Sequence, residues 1–426
     1  MQVSADNQRL SEPGNKLETI NNSLGDRLNV PPPAVVAWLD NNVGLELSRI
    51  LSERGVPVIA LAVDARNYRC KTRYVERVIE VATGDSGLVT ALESLRPSIP
   101  KGAIFCPTTD GLAQIASENQ ARLASHYRMA IADQNSLRML GDKEKVDALA
   151  RKAGVSVPQT WVVSTATDIE VVLESCTFPL IVKPSIRTDA WWEAFEEKAL
   201  KVDDQAQLSQ VLESSVALAP SLIVQEWIEG GDANMFFYLS YFGSAGSCLA
   251  ELVGQKIRQW PPLTGVGSSS MQVDAPGIIK AAHRLIGKTN FRGFCEIEFK
   301  RREGTDDFYL IEANVGRPSL HASLAESSGI EMQCLMYCDC AGMPLPAGRE
   351  VSHPGAKCVV WRFELQAAWM AIKSGELSAL DWIIWLKGRI RSVDIHFADR
   401  KVIWAGFVTP AVSKIIRRLR MKFSLP

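Results

Sequence analysis

From residue 34 the chain alternates short apolar runs of strand length with stretches of helical period. Residues 34–39 read as a strand, 43–54 as a helix and 56–63 as a second strand. Gly55 stands where a helix C-cap is wanted, and Pro57 opens the next strand. Residues 75–81 and 103–106 give two further strands. The series predicts βαβ units, hence a largely parallel sheet with helices on its faces. We expect a Rossmann-like module over 34–132. Its first turn, Asp40-Asn41-Asn42-Val43-Gly44, lacks the G-x-G-x-x-G pattern, which argues against a dinucleotide. The strand ends of such a module remain available to a small substrate. Residues 1–33 are polar, end in Pro31-Pro32-Pro33, and are expected to form a disordered tail.

Further on, 136–140 and 143–152 read as helices broken at Gly141, followed by a strand over 160–163. Lys143 opens its helix, where a lysine opposes the macrodipole; a solvated lysine and a functional one both fit. Residues 178–184 form an apolar strand that ends in Lys183-Pro184, a compact charge held as a phosphate contact would be. Strands follow over 221–227, 235–241 and 247–253. A loop is expected over 261–270, then a helix over 278–288.

Residues 293–317, GFCEIEFKRREGTDDFYLIEANVGR, read as a hairpin turning at Gly304-Thr305-Asp306-Asp307. Glu312 and Asn314 share one strand face, and antiparallel pairing can bring Glu298 beside them. Two carboxylates and an amide oxygen at one spot fit a hard cation such as Mg²⁺. The same charges also fit a solvated surface hairpin. Glu296, Asp306 and Asp307 are read as solvated.

Composition narrows the classes. The 426 residues carry 47 Lys and Arg against 48 Asp and Glu, a balance without the basic footprint of a nucleic-acid binder. No apolar run reaches a membrane span and the N-terminus lacks a signal-peptide layout. Nine cysteines at irregular spacing point to reduced thiols in a cytoplasmic protein. The densest group, Cys334, Cys338 and Cys340, completes no metal-ligand pattern and reads as structural thiols.

The order of these motifs carries a family likeness. A GDK helix, a strand ending in IVKP, a VQEWIEGGD segment and the E-x-F…E-x-N hairpin together resemble the ATP-grasp superfamily. That superfamily includes biotin carboxylase, the carbamoyl-phosphate synthetase large subunit and the D-alanine and D-aspartate ligases. The likeness implies an α/β and α+β fold: a Rossmann-like domain, an ATP-grasp domain over 133–330 and a C-terminal α/β extension over 331–426. It implies ATP and Mg²⁺ (with Mn²⁺ as a substitute ion). Lys143 and Lys183 match the lysines on the ATP phosphates. Gln225, Glu226 and Ile228 match the adenine strand, and Asp232 the acid at the ribose. Glu298, Glu312 and Asn314 match the metal ligands. Arg317 matches the arginine at the phosphoryl group; Lys256 and Arg258 match a further basic pair near the γ-phosphate and carboxylate.

The implied activity joins a carboxylate to an amine or thiol through an acyl phosphate, with small-molecule substrates. Two alternatives stand beside it: a bicarbonate-activating enzyme like biotin carboxylase, and a nucleotide-binding regulator without turnover. The second is prompted by a departure from the family. After Lys183 the expected glycine-rich lid is replaced by a segment with Arg187, Trp191 and Trp192. Lys198 or Lys201 is either a phosphate contact or a solvated charge. A second departure sets Arg317 three positions after Asn314, where two is usual; a bulge at Val315-Gly316 would turn it inward. The tail resembles carboxylate–amine ligase-like proteins associated with cell-envelope and polysaccharide metabolism. Residues 412–423 (VSKIIRRLRMKF) read as a basic amphipathic helix, packed on its own protein or resting weakly on an anionic membrane.

Overall fold

Three sheets carry the chain, and the computed structural model describes residues 31–409 apart from Thr83, Arg187 and residues 196–198. The tail expected over 1–33, its closing prolines excepted, and the helix expected over 412–423 lie outside the described residues.

The first sheet contains β1 (Ala34–Ala37), β2 (Val58–Ala62), β3 (Arg77–Glu80), β4 (Ala103–Pro107) and β5 (Tyr127–Arg128). All pair in parallel, in the order β3-β2-β1-β4-β5. Strands β1, β2 and β4 are buried at every position, because helices cover both faces; their sequences are therefore unbroken apolar runs rather than alternating ones. The helix Asn42–Ser52 leaves β1 through Asn41, whose side chain caps the Gly44 N–H at 2.8 Å.

The second sheet is antiparallel, with β6 (Thr160–Val163), β7 (Leu180–Pro184), β8 (Leu200–Val202) and β9 (Leu222–Glu226) in the order β6-β9-β7-β8. It has its own core, including Leu180, Val182, Leu208, Leu212 and Val224. In place of a glycine-rich lid stands a short helix, Asp189–Ala194, capped by Thr188 and anchored by a fully buried Trp191 in that core. Lys201, by contrast, is exposed and pairs with Asp203 at 2.6 Å.

The third sheet is the largest. It comprises β10 (Met235–Phe242), β11 (Cys248–Trp260), β12 (Val266–Val273), β13 (Gly293–Arg301), β14 (Phe308–Val315), β15 (Lys357–Val359) and β16 (Ile390–Ser392). The order is β14-β13-β10-β11-β12-β15-β16, antiparallel except for the last pair. Residues beyond 330 thus extend this sheet by two strands. Strand β12 falls where a loop was expected. Its Ser268, Ser269 and Ser270 are buried, so small polar side chains occupy sheet positions that a hydrophobic pattern does not reveal. One core joins Val35 and Ala37 of β1 to Cys295, Ile297, Phe299, Leu310 and Val315 of the hairpin, so the first and third sheets are packed as one body. Among the described residues no helix is long and apolar enough to cross a membrane.

Candidate active site

Strand β13 supplies the floor of the site. It alternates Cys295, Ile297 and Phe299 into the core with Glu296, Glu298 and Lys300 on the opposite face. Opposite it, Asn314 pairs with Glu296 and Glu312 with Glu298. The ladder then slips by one residue, so Leu310 rather than Ile311 faces Phe299. This bulge lets Leu310 enter the core while Glu312, two positions on, enters the cavity. It also leaves the Ile311 carbonyl to accept from Lys143 Nζ at 3.1 Å.

These side chains line a cavity of about 1490 Å³ at the junction of the three sheets. Of the residues singled out in the sequence, Lys143, Lys183, Gln225, Glu226, Ile228, Lys256, Glu298, Glu312, Asn314 and Arg317 line it together. Lys143 is placed by the helix Lys143–Lys152, whose N-cap Asp142 binds the Glu144 and Lys145 N–H groups. Lys183 ends β7 and donates to Gln225 Oε1 at 3.2 Å; Gln225 in turn donates to Thr160 Oγ1 at 2.9 Å. Burial, and then the neighbouring Lys143 charge, push Lys183 well below the ordinary lysine range. Two ammonium groups crowded in this way repel each other, a repulsion that a bound anion would relieve. On the adjoining segment the Glu226 carboxylate is held by Arg302 at 2.7 Å, and the Trp227 N–H by the Pro179 carbonyl at 3.0 Å. The Ile228 N–H has no partner among the described residues.

Lys256 crosses from β11 to Glu298 at 2.7 Å. Burial opposes its charge, yet Glu298, with Glu312 and Glu296 behind it, holds the ammonium above the ordinary range. Burial lifts Glu298 as well, in spite of Lys256, because Glu312 and Glu296 add to the effect. Beside burial, both shifts carry the mark of three carboxylates gathered on one side of the Lys256 ammonium, whose mutual repulsion a bound cation would relieve. Glu312 opens into the cavity with no hydrogen bond or ion pair among the described residues. Burial works against its charge, but Lys256, Lys183 and Lys143 keep it below the usual carboxylate range. The donor set is hard oxygen, and it fits Mg²⁺.

Glu296 corrects the expectation of a solvated acid. It is only 4% exposed, accepts from Ser319 Oγ and lies 3.0 Å from His321 Nδ1. Burial would raise it, but His321 and Ser319 bring it down to about 2. The signal was its parity with Glu298 and Lys300. Lys300 is also in the cavity wall, lowered to about 8 chiefly by burial. Arg317 turns inward at Gly316, whose φ of +82° makes the bend. Its guanidinium binds both Asp110 oxygens, at 3.0 and 2.9 Å, and Asn314 Oδ1 at 3.1 Å.

Two residues are placed elsewhere. Asp232 accepts from the Gln259 and Leu263 N–H groups, both at 2.7 Å, and from Gln259 Nε2 at 3.0 Å, and does not line the cavity. Its carboxylate clasps the turn between β11 and β12. Arg258 also lies outside the wall: it pairs with Glu364 at 2.5 Å and stacks over Trp385 at 4.8 Å. The first sheet adds wall residues that no motif marked. Asn41, Thr108, Asp110 and Gln114 stand at or beyond the C-terminal ends of β1 and β4, where open α/β sheets place their ligands. Asn41 Nδ2 donates to Thr108 Oγ1 at 2.8 Å.

Sheets in this order, with a charged cavity at their junction, make up the ATP-grasp fold. Solved structures bear this out, although no family model matches the sequence. N5-carboxyaminoimidazole synthetase from Staphylococcus aureus, complexed with ADP, superposes with a TM-score of 0.57 at 13% identity, over 74% of this chain and 78% of its own. The biotin carboxylase domain of the Hydrogenobacter thermophilus 2-oxoglutarate carboxylase, in complex with MgADP, ADP and bicarbonate, gives 0.57 at 14% identity, over 75% and 72%. L-amino acid ligase from Bacillus licheniformis gives 0.54 at 14% identity, over 73% and 74%. At such identities the likeness establishes the fold.

Proposed function

We propose that this protein is an ATP- and Mg²⁺-dependent ligase joining a small carboxylate to an amine or thiol. The observation that carries the reading is the opposition, in one cavity, of the Lys143–Lys183 pair to the Glu298–Glu312–Asn314 wall. Two of the structural neighbours are complexes with ADP or MgADP and the third is an L-amino acid ligase, which supports it. In this reading Lys143 and Lys183 hold the phosphates, and the free Ile228 N–H faces the adenine. Glu298, Glu312 and Asn314 hold Mg²⁺, with Mn²⁺ as a substitute; the ion, when bound, neutralises phosphate charge.

A substrate carboxylate oxygen attacks the γ-phosphorus and ADP leaves, giving an acyl phosphate. The amine then attacks the carbonyl carbon, loses a proton, and inorganic phosphate leaves. Lys256 and Arg317 supply positive charge near the transferred group, and the end walled by Asn41, Thr108 and Asp110 receives the substrate. Here the roles of Asp232 and Arg258 are to position the β11–β12 turn and the C-terminal helix. The reading divides the chain into a substrate module over 34–132, a nucleotide module over 133–330 and an extension over 331–426. Nine free cysteines support a reducing, cytoplasmic setting.

The test is ADP release from metal-replete protein across a library of carboxylates paired with amines, preceded by calorimetry with ATP. Turnover on one pair is the expected result. Failure to bind ATP at all overturns the proposal, and ATP binding without turnover on any pair favours a regulator.

A further inference from the structure

The C-terminal helices carry an apolar face that no described residue of the protein covers. In the helix Trp361–Ser374, Glu364, Ala367 and Ala368 point inward and are buried, while Leu365, Trp369 and Met370 lie on the opposite side. Trp369 is 69% exposed. In the next helix, Ala379–Trp385, Trp382 turns inward to donate to Glu364 at 3.0 Å, which leaves Leu380, Ile383 and Ile384 outward, with Leu380 65% exposed. Phe397 and Trp404 follow at 87% and 67%. Eight large apolar side chains exposed within forty residues, with Leu365 and Trp369 and again Leu380 and Ile384 in i, i+4 register, exceed the scattered exposure of an ordinary surface.

Charge selects the occupant. Residues 361–426 hold twelve Lys and Arg against five Asp and Glu, whereas residues 1–360 hold 35 against 43. Three of those five acids, Glu364, Asp394 and Asp399, are buried. Among the described residues from 361 on, the exposed charges are Arg362, Lys373, Lys387, Arg389, Arg400 and Lys401 against Glu376 and Asp381. A second copy of this face, or the basic segment 412–423 laid upon it, would bring like charges together. Nucleic acid would meet the cations and leave the apolar side chains without a partner. An anionic bilayer satisfies both: the Trp, Leu and Ile side chains enter the interface, and the Lys and Arg rim meets acidic headgroups.

We propose that the outer faces of these two helices form a peripheral binding surface for anionic membranes. The surface stands independently of the ligase reading. The full chain should float with vesicles of phosphatidylcholine containing about one-third phosphatidylglycerol and release in high salt, but not float with phosphatidylcholine alone. The variant Trp369→Gln/Leu380→Gln/Ile384→Gln keeps every charge and should partition at least about tenfold more weakly. Unchanged circular dichroism would establish that it folds. Brominated lipid should quench the wild type more than Trp369→Phe, a readout independent of the triple variant. Three results overturn the proposal: no flotation at low salt, equal flotation of the triple variant, or a wild-type dimer dissolved by the variant without any flotation.

Discussion

Glu364 anchors the C-terminal helix from beneath, and removing it should be costly. Its fully buried carboxylate accepts from Arg258 Nε at 2.7 Å, Ser268 Oγ at 2.9 Å and Trp382 Nε1 at 3.0 Å, with Arg258 Nη2 at 2.5 Å. Glu364→Leu withdraws the acceptor from all of them and strands a largely buried guanidinium. Breaking a buried ion pair from one side costs about 3–5 kcal/mol. The orphaned Trp382 donor adds about 1 kcal/mol, while Ser268 can rotate toward another acceptor. The stacking of Arg258 on Trp385 is unchanged and offsets none of this. A loss of about 4–6 kcal/mol, at roughly 2–4 °C per kcal/mol, lowers the unfolding temperature by on the order of 10–20 °C. Urea unfolding followed by circular dichroism would compare wild type, Glu364→Leu, Arg258→Met and the double variant. Because the double variant carries no stranded charge, it should recover most of the loss. A single-variant loss below about 1 kcal/mol, or a double variant as unstable as the two singles summed, refutes the reasoning.

Two further outcomes follow from the cavity and a third from the packing of β11. Lys183 is depressed in the free protein, and a bound phosphate would raise it, so ATP binding should take up protons. Affinity should therefore fall as pH rises from its depressed value toward 10.5, by at most about tenfold per pH unit, and level off at lower pH. Calorimetry in buffers of different ionisation enthalpy measures this, and the uptake should vanish in Lys183→Met. Glu312→Gln should raise the Mg²⁺ concentration needed for ADP release by about tenfold or more; an unaltered Mg²⁺ requirement would remove Glu312 from the metal site. Gly254→Ala would put a Cβ 2.1 Å from Phe237 Cζ and 2.7 Å from Leu324 Cδ2. That overpacking should cost at least about 2 kcal/mol in a thermal melt, and a wild-type melt would mean the helix above β11 yields freely.

What the sequence disclosed was governed by local periodicity. The parallel strands were legible because burial on both faces writes apolar runs, and the hairpin because acids recur at alternate positions. The same alternation includes Glu296, yet an acid between two apolar residues gives no sign of the remote Ser319 and His321 that hold it buried. Motif order brought Lys143, Lys183 and the carboxylates Glu298 and Glu312 to one cavity from four separate elements. It did not reveal that Arg258 is claimed by Glu364, 106 positions away, or that Asp232 is spent on the turn after β11. Strand β12 stayed hidden because its serines carry no hydrophobic pattern. Asn41, Thr108 and Asp110 belong to no motif; only the topology of the first sheet puts them at the cavity.

That cavity draws its walls from all three sheets, which gives any ligand bridging them a second role as a cross-link. A ligand bound only by the assembled form adds RT ln(1 + [L]/Kd) to its stability, about 2.7 kcal/mol at a hundredfold excess over Kd. The persistence of the folded chain would then follow the supply of its own ligand. Substitutions far from the wall that merely loosen one sheet from another would appear first as weakened binding, with every sheet still intact.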